Sequence, residues 1–258
     1  MNKIHKANDV STNQVIDVKK KILFNVILLL IPIILFLFVE FGLRIFKYGN
    51  DLSLFEKSEN YPGYYQINPN VNYRYFTKVE RTSSTKDIFL IEKPDTCFRI
   101  FVFGESTTRG YPYQAGTSFP KILYYRLQDA FPDKRIEVVN LAASAINSYS
   151  YVDMLGEVLK NEPDLILVYG GHNEYYGALG VGSVEDGGNF RWLKKLRLKL
   201  CRLRTFQLVQ NFIIKSSVIL ANTDDKESAT LMERIVKDKD ILIDSKKYNE
   251  GIEQYRVN

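Results

Sequence analysis

A cluster of small polar residues, Gly104-Glu105-Ser106-Thr107-Thr108, follows directly on a β-branched and aromatic run, Phe98-Arg99-Ile100-Phe101-Val102-Phe103. A run of that composition reads as a strand buried on both faces. Ending it in Gly-Glu-Ser lifts one hydroxyl out of the sheet at the strand's carboxyl end, where open α/β sheets bind their ligands. The chemistry open to such a hydroxyl is nucleophilic attack. Taken alone, a serine after a glycine is more often an ordinary turn residue. Two later stretches bear on the choice: Asn140-Leu141-Ala142-Ala143-Ser144-Ala145 and Gly171-His172-Asn173-Glu174.

The elements that would carry these stretches alternate. The first strand, 98–103, is followed by a helix from about Ser118, with Pro120 suited to its first turn and Phe119, Ile122, Leu123 and Leu127 as its apolar face. A second strand, 136–141, precedes the loop AASAINSYS and a helix carrying Val152, Leu155, Val158 and Leu159. The third strand, 164–169, ends in GGHNEYYG. Strand–helix–strand–helix–strand implies right-handed crossovers and a parallel sheet, so all three loops fall on one edge of it.

In that order the three loops resemble the SGNH (GDSL-type) hydrolase family. The first block of the family, Gly-Asp-Ser-x-Ser/Thr, reads here as Gly104-Glu105-Ser106-Thr107-Thr108, with Glu for Asp. The second, Asn-x-Gly-x-Ser-Gly, keeps its frame at 140–145 with Ala at both Gly positions. The third, Gly-x-Asn-Asp/Glu, is met by Gly171, Asn173 and Glu174. The resemblance covers roughly residues 98–180. It implies a flavodoxin-like three-layer α/β/α fold and a serine ester hydrolase with Ser106 as nucleophile. The oxyanion donors it implies are the Ser106 N–H, the Ala145 N–H and the Asn173 side-chain amide. Gly104, Glu105, Thr108, Asn140, Gly171 and Glu174 support the loops. The Ala145 assignment requires that the loop not demand positive φ there. No cofactor is implied, since acyl transfer through serine requires none.

The family's base is a His in an Asp-x-x-His block, after two further strands. No histidine follows Asn173, and His5 precedes the apolar segment described below. His172 is the one histidine on a site loop; its place beside Asn173 reads as a pocket wall, with general base, a role the family does not give that position, as the lesser assignment. The chain therefore reads as a copy cut before the His block, poorly active or inactive, because a serine triad without its base loses up to ~10⁶ in turnover. An O-acyltransferase passing the same acyl group to a glycan hydroxyl, and a non-catalytic glycan-binding or scaffold module, are the alternatives.

The surrounding sequence sets the context. Residues 22–39 read ILFNVILLLIPIILFLFV, interrupted only by Asn25 and Pro32. Eighteen helical residues span ~27 Å, close to the hydrocarbon thickness of a bilayer. A buried core helix would show a polar face, and a cleaved signal peptide would end in small residues, which the following EFGLRIFKYGN lacks. The segment reads as an uncleaved signal anchor over 22–46, after a polar tail over 1–21. Lys19-Lys20-Lys21 outweighs Arg44 and Lys47, which keeps the amino terminus cytoplasmic and puts the main domain outside the cytoplasmic membrane. The bilayer is then one partner, and an ester-bearing envelope glycan or lipid the other.

Residues 47–96, rich in Tyr, Asn and Pro, are expected to pack on a hydrolase-like domain over 97–258. A net charge of +5 in 258 residues is too slight to argue for nucleic acid. Cys97 and Cys201 offer no metal-site spacing and either pair or stay free. The stretch 191–204 carries Leu193, Leu196, Leu200 and Leu203 at helical spacing among many basic residues. It reads as a solvated face over the core or as a lipid-contacting amphipathic helix. Two more helices are expected over 223–258, burying Met232, Ile235, Ile252 and Tyr255.

Overall fold

The computed structural model describes residues 2–76, 85–185, 190–221, 231–238 and 240–258, with side chains other than those of 2–19, 217–221 and 232. The chain is mixed α/β. It opens with one helix, α1 (Asn2–Ile45), whose stretch Lys20–Ile45 is long and apolar enough to cross a membrane. The polar stretch over 1–21 is helical from Asn2, with no Gly or Pro between that point and the apolar run to end the helix. The apolar side chains of 22–38 all face outward from the molecule.

Residues beyond α1 form a small antiparallel sheet, β1 (Phe55–Lys57), β2 (Tyr64–Ile67) and β3 (Ile88–Leu90), in that order. It packs on the main domain as expected. Phe89 meets Phe101 edge-on at 5.3 Å and Phe55 at 4.8 Å, geometry that aromatic quadrupoles favour. Beside it, the fully buried Arg74 pairs with Asp153 (2.9 Å) and Glu157 (2.7 Å) and donates to the Leu52 carbonyl (2.6 Å). A charge is tolerated there because every arm of the guanidinium is taken up.

Among the described residues the main sheet has three parallel strands. β4 (Cys97–Gly104) lies between β5 (Arg135–Asn140) and β6 (Leu165–Tyr169). The intervening helices are a short α2 (Ser106–Arg109), α3 (Phe119–Ala130) and α4 (Ser148–Leu159). Ser118 precedes α3 in extended backbone with Pro120 in its first turn, and Asn147 caps α4 by accepting the Tyr149 N–H. β4 is buried along nearly its whole length. At its amino end the buried Arg99 donates to Glu137 of β5 (2.7 Å) and to the carbonyls of Leu90 (2.8 Å) and Asn161 (2.7 Å), tying both sheets together.

Among the described residues β6 pairs with β4 alone, and its Leu165, Val168 and Tyr169 are exposed. Several expectations about the helices are corrected. Phe119 and Ile122 of α3 are also exposed, leaving Leu123 and Leu127 half-buried on that face. The basic stretch divides into α5 (Arg191–Leu200) and α6 (Arg204–Ala221). On α5 the buried stripe is Lys194, Leu198 and Cys201, with the expected Leu196 exposed. Lys194 holds that place because its ammonium donates to the Leu179 carbonyl (2.6 Å) and lies over the Tyr149 ring (5.1 Å).

Two short helices follow, α7 (Leu231–Ile235) and α8 (Lys246–Val257). Ile235 is buried, but Ile252 and Tyr255 are exposed, and α8 instead buries Gly251 against Tyr175 together with Gln254. The Met232 side chain lies outside the described residues. Cys97 and Cys201 are both free and buried.

Candidate functional site

The three sequence blocks meet at the carboxyl edge of the parallel sheet, and Glu105 is the residue that joins the first to the third. Gly104 ends β4 where a Cβ would meet Thr108 Oγ1 at 2.1 Å, so the chain turns directly into α2 only with glycine there. Glu105 sits before the first turn of α2, fully buried. One of its oxygens accepts the Gly171 N–H (2.8 Å) and the Tyr151 hydroxyl (3.2 Å); the other accepts the Asn173 N–H (3.2 Å) and lies 2.6 Å from His172 Nε2. Burial pushes this carboxyl up to about 7, against the pull of the donors aimed at it. Burial likewise lowers the His172 imidazole, and it raises the Tyr151 phenol.

The second block joins the first through Asn140, whose Nδ2 donates to the Thr108 carbonyl (2.9 Å) and whose Oδ1 accepts the Ala142 N–H (3.0 Å). Thr108 in turn donates to the Tyr169 carbonyl (3.2 Å) at the end of β6. The second and third blocks join through Asn173, whose Nδ2 donates to the Ile146 carbonyl (3.1 Å), and through the Ala178 N–H on the Ala145 carbonyl (2.7 Å). Ala145 itself has φ of +60°, and Gly171 +127°. The condition set on Ala145 from the sequence is therefore not met: the loop does require positive φ, and an alanine adopts it at a cost of roughly 1–2 kcal/mol. All the same, its N–H has no backbone acceptor among the described residues.

Glu174 does not face the same place as Asn173. It caps the start of α4, accepting the Ser148 N–H (2.8 Å) and hydroxyl (2.9 Å), and takes a third bond from Gln254 of α8 (2.8 Å). Burial raises its pKa as well. Ser106 is half-buried at the first turn of α2. Among the described residues no acceptor takes up the backbone N–H of Ser106 or of Ala145, and one Asn173 amide hydrogen is left over. Those three unfilled donors are the ones expected of an oxyanion hole, and each lies on a loop hydrogen-bonded to the other two.

Tyr151 and Gly170 escaped the sequence reading. A Cβ at Gly170 would meet the Tyr151 hydroxyl at 2.2 Å, so the glycine makes room for the phenol that supports Glu105. The doubled glycine after β6 was the available signal. Two sizeable cavities lie elsewhere, one of about 510 Å³ between α4 and α5 beside Tyr149, Lys195 and Arg202, the other of about 420 Å³ along β5 beside Tyr64, Lys121 and Arg135. Neither is lined by Ser106. Among the described residues no group of three or more His, Cys, Asp and Glu side chains is disposed to hold a metal ion. Compared with known proteins, the chain matches no family model and no curated protein.

Proposed function

We propose that the chain is a membrane-anchored serine ester hydrolase of the SGNH type, with Ser106 as nucleophile. The observation that carries this reading is the set of unfilled donors around the Ser106 loop: two backbone N–H groups and one amide hydrogen. Preorganised donors that point at developing negative charge are worth ~2.7–4 kcal/mol each in acyl transfer. The strand order β5-β4-β6 supports a flavodoxin-like sheet, in which the first strand lies between the second and third.

The reaction would run through attack of the Ser106 hydroxyl on an ester carbonyl, with the oxyanion received by the Ser106 and Ala145 N–H groups and Asn173. The proton must go to a base. His172 has its Nε2 held by Glu105, so only Nδ1 is open to a substrate. That arrangement makes His172 foremost a loop anchor and leaves hydrolysis slow in these 258 residues. The apolar helix over Lys20–Ile45, with the lysine triplet at its start, supports an anchor with the amino terminus in the cytoplasm and the site outside it. Substrates on that side are acyl or acetyl esters of envelope glycans or lipids.

The test is labelling of the full chain by a fluorophosphonate, which modifies an activated serine without needing a leaving-group acid. Slow labelling that disappears in Ser106→Ala and slows further in Asn173→Ala is the expected result. Labelling unchanged in Ser106→Ala, or absent from both chains after prolonged exposure, would refute the hydrolase reading.

A further inference from the structure

Helix α6 carries Leu208, Val209, Phe212 and Ile213 at spacings of one and four residues, which places them on one stripe of a helix. Val209, Phe212 and Ile213 are 55%, 72% and 61% exposed among the described residues. The opposite flank is fastened. Gln207 is buried, exchanging hydrogen bonds with the Asn50 backbone (2.9 and 3.1 Å) and donating to the Cys201 carbonyl (3.0 Å), and Asn211 donates to the Tyr48 hydroxyl (3.1 Å). The stripe therefore faces away from the protein by construction.

What lies on it follows from where α6 begins. Glu40, near the end of α1, is buried and accepts the N–H groups of Arg204 (3.0 Å) and Thr205 (2.8 Å), the Thr205 hydroxyl, and Arg44 Nε (2.8 Å). A carboxylate at a helix amino terminus satisfies its orphan donors and complements its dipole. Here that carboxylate belongs to the apolar span itself. The start of α6 is thus pinned to the place where the span ends, where Phe41, Ile45 and Phe46 are exposed as well. Lys215, also exposed, is long enough to reach phosphate from such a position.

We infer that α6 is a second membrane element, lying in the bilayer interface beside the exit of α1 with Val209, Phe212 and Ile213 among the lipid acyl chains. This rests on α1 crossing a membrane, and it gives the lipid-contacting role to α6 rather than to the more basic α5. Two attachments, one through the bilayer and one on it, would hold the main domain in one orientation to the membrane surface instead of letting it turn about a single tether. Any ester drawn from that surface would then meet the sheet edge from a constant direction.

The test uses the full chain in phosphatidylcholine–phosphatidylglycerol vesicles, with Trp192, the one native tryptophan, changed to Phe. Single tryptophans are then introduced as Phe212→Trp, Ile213→Trp, Leu30→Trp inside the span and Tyr125→Trp on α3. Brominated acyl chains are expected to quench Phe212→Trp, Ile213→Trp and Leu30→Trp, with blue-shifted emission, and to spare Tyr125→Trp. Quenching of Leu30→Trp alone would overturn the inference while leaving the anchor intact. Quenching of none would overturn both. Blue-shifted but unquenched emission at 212 and 213 would assign the stripe to a protein partner and overturn the lipid contact.

Discussion

Glu105→Gln separates the buried carboxyl's charge from its shape. The native carboxyl has a pKa of about 7 in the folded chain against an ordinary value of 4.5, with burial as the cause. The folded site therefore keeps its proton at pH values where the unfolded chain has lost it. The stabilisation that follows is fully present below pH 4.5 and is lost as pH rises through 7. At about 1.36 kcal/mol per unit, the shift corresponds to roughly 3 kcal/mol as an upper value. His172 acts in the opposite sense: its lowered pKa means stability is gained as pH rises toward its ordinary value of 6.5. Glutamine has no such proton to lose, so the native chain's stability relative to Glu105→Gln should fall by up to about 3 kcal/mol between pH 4.5 and 8. Urea unfolding in detergent micelles across that range, read by near-ultraviolet circular dichroism, gives the difference directly. Repeating the pair in a His172→Gln background removes the opposing slope. Parallel stability curves for native and Glu105→Gln chains in that background would show that Glu105 ionises normally and would refute the argument from burial.

Other expectations concern the loops and the packing around them. Ala145→Gly relieves left-handed strain of roughly 1–2 kcal/mol but adds unfolded-chain entropy of about 0.4–1 kcal/mol, so a small gain in stability is expected. Ala145→Val, β-branched at the same φ, should lose more than Ala145→Gly gains; thermal melts of the pair check the sign. Arg74→Met strands Asp153 and Glu157 without their shared guanidinium and is expected to cost about 3–5 kcal/mol in urea unfolding, with Arg74→Lys recovering only part, since a single ammonium cannot make all three contacts. A cost below about 1 kcal/mol for Arg74→Met would mean that Arg202, which also reaches both carboxylates, suffices alone.

Local pattern was legible where local physics decides it. The apolar β4 run, the Pro120 helix start and the length of the apolar helix all depend on residues close in sequence, and each lies where the pattern put it. Stripe assignments failed where a polar side chain found a distant partner. Lys194 and Gln254 are buried because they bond one another and Leu179 and Glu174, contacts that spacing along one helix does not reveal. Likewise the apolar composition of β6 does not report that Leu165, Val168 and Tyr169 are exposed among the described residues.

The amino-acid sequence by itself determined that an apolar helix precedes an alternating strand–helix unit, and that three small-residue loops end its strands. Periodicity and turn chemistry act over a few residues, so they survive without coordinates. Only the tertiary structure decided that Glu105 binds the backbone 66 and 68 residues away, that Ala145 is left-handed, and that Glu40 pins α6 to the end of the apolar span. Those facts depend on which groups burial leaves without water and which partners then come within 3 Å. That matching is settled by the packed chain as a whole, because a buried polar group must be satisfied from wherever the fold brings a partner.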